Sequence, residues 1–528
     1  MTSPTNFCDD ERIDVPRLMD IDCRWAIKMG WYERLVVPED RRSVKLLLGT
    51  VLATSYNGYD AGVIVAIIAD QQFIDYYKID ANRSGIFAII PWATTALSYL
   101  YFGPVLASWL GRLWALRIAI LIMFVGVVVQ VVPNTFGVLI LGRLITGLGF
   151  GIVYISSNLY IAECSPTKLR GSFVGFLSQF GYQLGTLIAF WTGYGMSKYR
   201  EPYNVAWRVS NLIQVPIGAL FIVLSFWYPE SPRWLLEHYP EQPERALKQL
   251  AWLRNGVPTD EHVQREFHEL VASREFRKRF TPGYLGIWKD RGLRKRLLYG
   301  IFAMSLQQFG GIASVTVYAV LIYQSLGWNG GGQALAINGI QSVLQLLIVF
   351  VNTVTVDRFG RRALLLTGFA IQSAALLVLS SLTTSFPNND NRSAAVAEVA
   401  MLFIIFPGHV RERAFGISAI GQAACLIALT QPWPLFTEQV GPRSYWLLFS
   451  LNMTALIAVF FILPETKGIS LERMDKIFGA IDTVAAAEEE EASHKKEEQL
   501  VGQALEKVRT SESDVKDRDE RVERTAAV

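Results

Sequence analysis

Stretches of about 20 apolar residues recur along this chain, and a helix of that length spans a hydrocarbon core of about 30 Å. They lie at 46–68, 85–109, 113–132, 137–158, 172–194, 209–228, 297–326, 334–356, 363–382, 414–435 and 444–463, with a shorter one at 394–406. In lipid each backbone polar group must be satisfied within its own segment, so such runs admit a helical membrane protein and little else. Composition agrees: 51% of residues are hydrophobic and 18% charged, against about 45–50% and about 25% in soluble domains. Cys8, Cys23, Cys164 and Cys425 form no C-x-x-C pair, so neither a disulfide framework nor a thiolate zinc site is expected. The histidines supply no metal-ligand spacing and no nucleophile and base pair emerges; neither an enzyme nor a cofactor is expected. Net charge is +3, with basic residues in short clusters rather than one stripe. Membrane lipid is therefore an expected partner and nucleic acid is not.

Lys and Arg favour cytoplasmic connections. Arg41, Arg42 and Lys45, then Arg112 and Arg117, Lys168 and Arg170, Arg358, Arg361 and Arg362, and Arg411 and Arg413 occupy alternate connections. The pattern predicts a polar cytoplasmic arm (1–44) without a cleavable leader, a first six-helix bundle (45–236) and a cytoplasmic helical linker (237–295). A second bundle (296–479) and a charged, disordered cytoplasmic tail (480–528) follow. Both termini are cytoplasmic on this reading, in the plasma membrane. The nearly neutral loops at Pro133-Asn134-Thr135 and Trp328-Asn329-Gly330 face outward, as does Asn82-Arg83-Ser84, which fits a glycosylation acceptor.

The two halves echo each other. Asp357-Arg358-Phe359-Gly360-Arg361-Arg362 between spans 8 and 9 matches Ser108-Trp109-Leu110-Gly111-Arg112-Leu113 between spans 2 and 3. Glu163-x-x-Pro166-x-x-x-Arg170 after span 4 is echoed by Pro407-x-x-x-Arg411, and Pro229-Glu230-Ser231-Pro232-Arg233 after span 6 by Pro464-Glu465-Thr466-Lys467-Gly468 after span 12. Duplicated bundles with charged turns describe an alternating-access transporter. With Gly58-Tyr59-Asp60-x-Gly62-Val63, Tyr160-x-x-Glu163, and Gln307-Gln308-x-x-Gly311-Ile312 added, the chain resembles the sugar porters of the major facilitator superfamily over roughly residues 45–480. The resemblance implies an all-α membrane protein of two pseudo-symmetric six-helix bundles.

Asp60 lies about nine residues below the outer end of span 1 and Arg143 about eight below the turn before span 4. At about 1.5 Å per residue both sit roughly 12–14 Å deep and can meet. Ionisable residues at that depth are costly unless paired and are functional candidates. The resemblance implies that Asp60 takes a proton with Arg143 beside it, and that a sugar is the substrate; a static salt bridge is the alternative. Gln179, Gln183, Gln307, Gln308, Gln345, Gln422 and Tyr318 fall at or near the family's sugar-binding positions. Amides donate and accept, which suits hydroxyl ligands. Glu163, Arg170, Glu230, Arg233, Asp357, Arg358, Arg361, Arg362, Arg411 and Glu465 are the implied gating set, latching the halves on the inside. The glycines of Gly147-x-Gly149-x-Gly151 serve helix packing, and Pro432 and Pro434 kink span 11.

The chain also departs from that pattern. Only Ala394 to Phe406 remains for helix 10, about 20 Å as helix and therefore truncated. Ile404 stands where Glu163 stands in the first copy; Ala313, Val317 and Ala423 replace Asn, Tyr and Trp of the family. The favoured reading is a proton-coupled carrier of a monosaccharide or related polyol. A facilitative carrier, a non-transporting sugar sensor and an inactive product remain open, as does the oligomeric state.

Overall fold

The computed structural model describes residues 41–132, 135–166, 170–199, 201–280, 291–319, 322, 331–359, 361–385 and 415–462. The expected helix 10, the N-terminal arm and the tail lie outside them. Spans 1 to 5 are Arg41–Ile68, Ala81–Leu97 continuing to Trp109, Arg112–Val131, Phe136–Cys164 and Arg170–Met196. Span 6 comprises Ala206–Leu212 and Gln214–Ser225, and span 7 Arg291–Phe309 and Ile312–Val317. Spans 8 and 9 are Gly331–Phe359 and Arg361–Ser385; span 11 is Phe415–Thr430 and Trp433–Val440; span 12 is Tyr445–Ile462. Among the described residues 8 helices are long and apolar enough to cross a membrane. The chain is a multi-pass integral membrane protein. Three helices, Pro232–His238, Pro243–Leu253 and Glu261–Phe280, follow span 6.

The breaks have local causes. Pro216 cannot donate to the carbonyl one turn back, and span 6 is interrupted at Ile213. Pro104 likewise follows a π turn at Ser98–Phe102 in span 2. Span 7 departs from expectation: the run 297–326 is not one helix, because it stops at Gly310 and restarts after Gly311, whose φ of 69° needs a residue without Cβ. Gln372 of span 9 fills the notch and donates to the Gly310 carbonyl at 3.1 Å. Span 11 breaks at Pro432, as its prolines indicate. Asn82 is exposed in the first turn of span 2 but Ser84 is buried there, so the sequon is folded into the span.

Small residues set the helix spacing. A Cβ on Gly147 would lie 2.2 Å from the Pro91 carbonyl oxygen, on Gly149 2.4 Å from Met123 and on Gly151 2.4 Å from Ser98, so this face of span 4 packs on spans 2 and 3. Span 1 meets span 5 equally closely at Gly58 and Gly185.

Apolar packing is uneven along the molecule. One buried cluster unites the two halves at the end far from the arginine-rich turns, with Val63, Phe73 and Trp207 from the first half and Tyr318, Leu376 and Leu448 from the second. At the basic end the clusters are separate. Leu47, Leu113 and Tyr160 belong to one confined to the first half and its linker, and Leu306, Phe369 and Val459 to one confined to the second. Spans 5 and 8 also touch laterally, where the rings of Phe176 and Phe350 lie 6.3 Å apart.

Candidate functional site

Spans 1 and 4 bring Asp60 and Arg143 together. Asp60 Oδ1 lies 3.4 Å from Arg143 Nη1, and both side chains are buried. That is the long end of hydrogen-bond geometry, so the pair is held loosely. The guanidinium also lies over the face of Phe87, 4.5 Å from its centroid, and its Nε and Nη2 have no hydrogen-bond partner.

A chain of amides joins spans 6, 3 and 4. Gln214 on span 6 donates to Asn211 Oδ1 at 2.8 Å. Asn211 donates to Gln130 Oε1 of span 3 at 3.1 Å, and Gln130 to Thr146 Oγ1 of span 4 at 3.3 Å. All four are buried. None of them was named from the sequence, because each is a neutral polar residue inside an apolar run, whereas Asp60 stood out by its charge at depth.

The glutamines are distributed over both halves. Gln308 on span 7 is buried with its Oε1 unpaired, and the Oε1 of Gln183 on span 5 is buried and unpaired too. Gln345 is buried on span 8, whereas Gln179, Gln307 and Gln422 are half-buried. Tyr318 is committed to the wall, donating to the Thr430 carbonyl at 3.5 Å. Asn338, two turns before Gln345 and absent from the sequence reading, is buried with both polar ends unpaired. Amide acceptors left open in an apolar surround suit a ligand that brings hydroxyl donors.

At the basic end the glutamates bind within their own half. Glu163 receives Arg112 Nη2 at 2.8 Å and the Ser231 hydroxyl. Glu230 receives the backbone N–H groups of Arg112 at 3.0 Å, Leu113 at 3.1 Å and Ser231 at 3.0 Å. It therefore caps the N-terminus of span 3, where a carboxylate complements the helix dipole. Burial pushes the Glu230 carboxyl above its ordinary value, and these three N–H groups oppose the shift. Gly111 turns the chain beneath it at φ 99°, where an added Cβ would lie 2.7 Å from Glu230 Oε2. Arg112, outside the expected gating set, thus meets Glu163 through its side chain and Glu230 through its backbone. Arg233 is half-buried, and Arg362 donates to the Phe460 carbonyl. The side chains of Arg170, Asp357, Arg358 and Arg361, and the residues Arg411 and Glu465, lie outside the described set.

Comparison with known proteins follows this geometry. A family model described as sugar (and other) transporter matches residues 46–406 and 405–478. A probable quinate permease of Aspergillus flavus is 29% identical over 464 residues, 80% of this chain and 85% of that protein. The MFS-type transporter criB of Aspergillus cristatus is 28% identical over 452 residues, 81% of this chain and 91% of that protein. Among solved structures, the proton:xylose symporter XylE bound to 6-bromo-6-deoxy-D-glucose superposes with a TM-score of 0.70 at 22% identity, covering 83% of this chain and 99% of that one. The last likeness is one of fold.

Proposed function

The chain belongs to the sugar transporter family of the major facilitator superfamily, and from that premise we propose that it carries a monosaccharide or related polyol inward across the plasma membrane with a proton. The observation that carries the reading is the buried Asp60–Arg143 contact of 3.4 Å. A permanent ion pair at that depth costs more than apolar packing of the same volume. A carboxyl that gains and loses a proton as the bundle rocks gives the pair a use.

The rest of the cycle follows from the packing. The far end, which this reading makes extracellular, is sealed by a cluster drawn from both halves, while the basic end has no shared cluster among the described residues. This is the form expected of a carrier open to the cytoplasm, with both termini, the arm, the linker and the tail on that side. Gln183, Gln308 and Gln345 hold the substrate hydroxyls, with Gln179, Gln307 and Gln422 at the rim of the same site. The cluster of Glu163, Arg112 and Glu230 keeps spans 3, 4 and 6 of the first half a rigid body. The remaining arginines and carboxylates of the gating set, Arg170, Arg233, Asp357, Arg358, Arg361, Arg362, Arg411 and Glu465, work between the halves.

Quinate, named for the probable permease of Aspergillus flavus, is a cyclic polyol bearing a carboxylate, so the substrate panel must include it. Full-length protein in liposomes with an inward proton gradient is expected to accumulate one member of a panel of hexoses, pentoses, disaccharides, polyols and quinate above its equilibrium level. A protonophore is expected to remove the excess. Equilibration without accumulation would make the protein a facilitative carrier, and binding without flux a sensor.

A further inference from the structure

We propose that Gln372 of span 9 is a positioning residue for the transport cycle, its amide holding span 7 in the broken form that closes the outer end of the molecule. The inference rests on the reading of the chain as an alternating-access carrier whose far end is extracellular.

The break leaves one carbonyl outside both segments of span 7. In a continuous helix the Gly310 C=O would accept the Ser314 N–H one turn on. Gly311 instead stands at φ 69° and opens the segment Ile312–Val317. The first bond of that segment runs from the Val315 N–H to the Gly311 C=O, at 2.9 Å. Gln372 Nε2 takes the vacant place and donates to the Gly310 carbonyl at 3.1 Å. The side chain is fully buried and its Oε1 has no partner among the described residues. A side chain placed for packing alone would be apolar here. The bond to Gly310 is what the amide supplies, and a buried carbonyl without it would be costly.

Beyond the break, the outer segment is bound into the seal between the halves. Ser314 Oγ lies 3.1 Å from Thr430 Oγ1 of span 11. Val315, Tyr318 and Ala319 belong to the buried cluster that unites the halves. Leu448 of span 12 packs beneath the turn, where a Cβ on Gly311 would stand 2.3 Å from its Cδ2. The broken form is therefore the closed form at this end. Opening takes the segment out of the cluster. Gly311 can cross to the right-handed region at no steric cost, and the Gly310 carbonyl then passes from the amide to the Ser314 N–H. The carbonyl stays bonded in both forms, but Gln372 stabilises only the closed one. A contact made in one of two states shifts their populations by its own free energy.

The test is the rate at which a membrane-impermeant maleimide, added outside intact cells, labels the full chain carrying Ala319→Cys. Ala319 is buried within the seal, and protein without the added cysteine supplies the blank. Adding Gln372→Met, which keeps the length of the side chain and removes the donor, is expected to raise the rate per folded molecule about fivefold or more, the worth of one buried hydrogen bond. Gly311→Ala, which strains the left-handed turn, is expected to raise it too. A role in packing alone would lower the folded yield and leave the rate per folded molecule unmoved. Should Gln372→Met fail to fold, Gln372→Asn, whose amide falls a methylene short of the carbonyl, decides in its place. An unmoved or slower rate, where labelling of Ala319→Cys alone responds to transported substrate, overturns the inference alone. Labelling indifferent to every substrate, together with no uptake, would overturn the carrier reading and the inference with it.

Discussion

Asp60→Asn is expected to abolish uphill accumulation of substrate while sparing exchange of labelled for unlabelled substrate. A carrier coupled to one proton gains about tenfold accumulation for each pH unit across the membrane, so the variant's accumulation ratio falls to about one. The asparagine resembles the protonated carboxyl in shape and neutrality, and it stays permanently in the loaded form. Breaking a buried ion pair by removing one partner costs about 3–5 kcal/mol in general. The cost is smaller here because the contact is long, at 3.4 Å, and because Arg143 keeps its seat on Phe87. A symporter must in any case pass through a state in which Asp60 is neutral beside a charged arginine. Folded yield is therefore expected to fall modestly and coupling completely. Counterflow and gradient-driven uptake measured on the same preparation separate the two effects, and accumulation at the wild-type level would contradict the assignment of Asp60.

The largest expected effect on stability lies about half a turn away. A Cβ on Gly58 would stand 1.8 Å from the backbone oxygen of Tyr182, and one on Gly185 1.9 Å from that of Ser55. Both obstacles are backbone, which no rotamer change can clear, so a side chain at either position drives spans 1 and 5 apart. Gly58→Val is expected to cost about 3 kcal/mol or more through overpacking. It displaces Asp60 two residues later as well. Detergent-solubilised Gly58→Val should run as aggregate or lose its monodisperse peak in size exclusion. Gly175→Ala, where nothing lies within 4 Å of the added carbon, should match wild type. A monodisperse Gly58→Val protein with unaltered thermal stability would show that the spans are not packed this closely.

Hydropathy placed the described spans to within several residues because burial in lipid is a property of each segment alone. Averages over a window do not see where a helix breaks. Gly310 and Gly311 barely change a window average, yet the left-handed turn at Gly311 divides span 7, and the amide that fills the notch, Gln372, is 62 residues distant in sequence. The meeting of Asp60 with Arg143 was legible from depth, since two helices of known direction put both at one level. The amide chain was not, because it depends on how spans 3 and 6 are rotated about their axes. The basic end shows a different limit. Spacing of Glu and Arg suggested a latch between the halves, but Glu163 and Glu230 take their described partners from the first half. Most of the donors to Glu230 are backbone N–H groups, whose availability depends on where a helix starts rather than on charge pattern.

The central claim is that a protonated Asp60 and a bound substrate cross together. Its most direct measurement is the pH of a lightly buffered suspension of de-energised cells, or of liposomes, when substrate is added outside. The account predicts a transient alkalinisation of the medium that scales with substrate, vanishes with protonophore and is absent in Asp60→Asn. Substrate uptake at the wild-type rate with no change in external pH would contradict it.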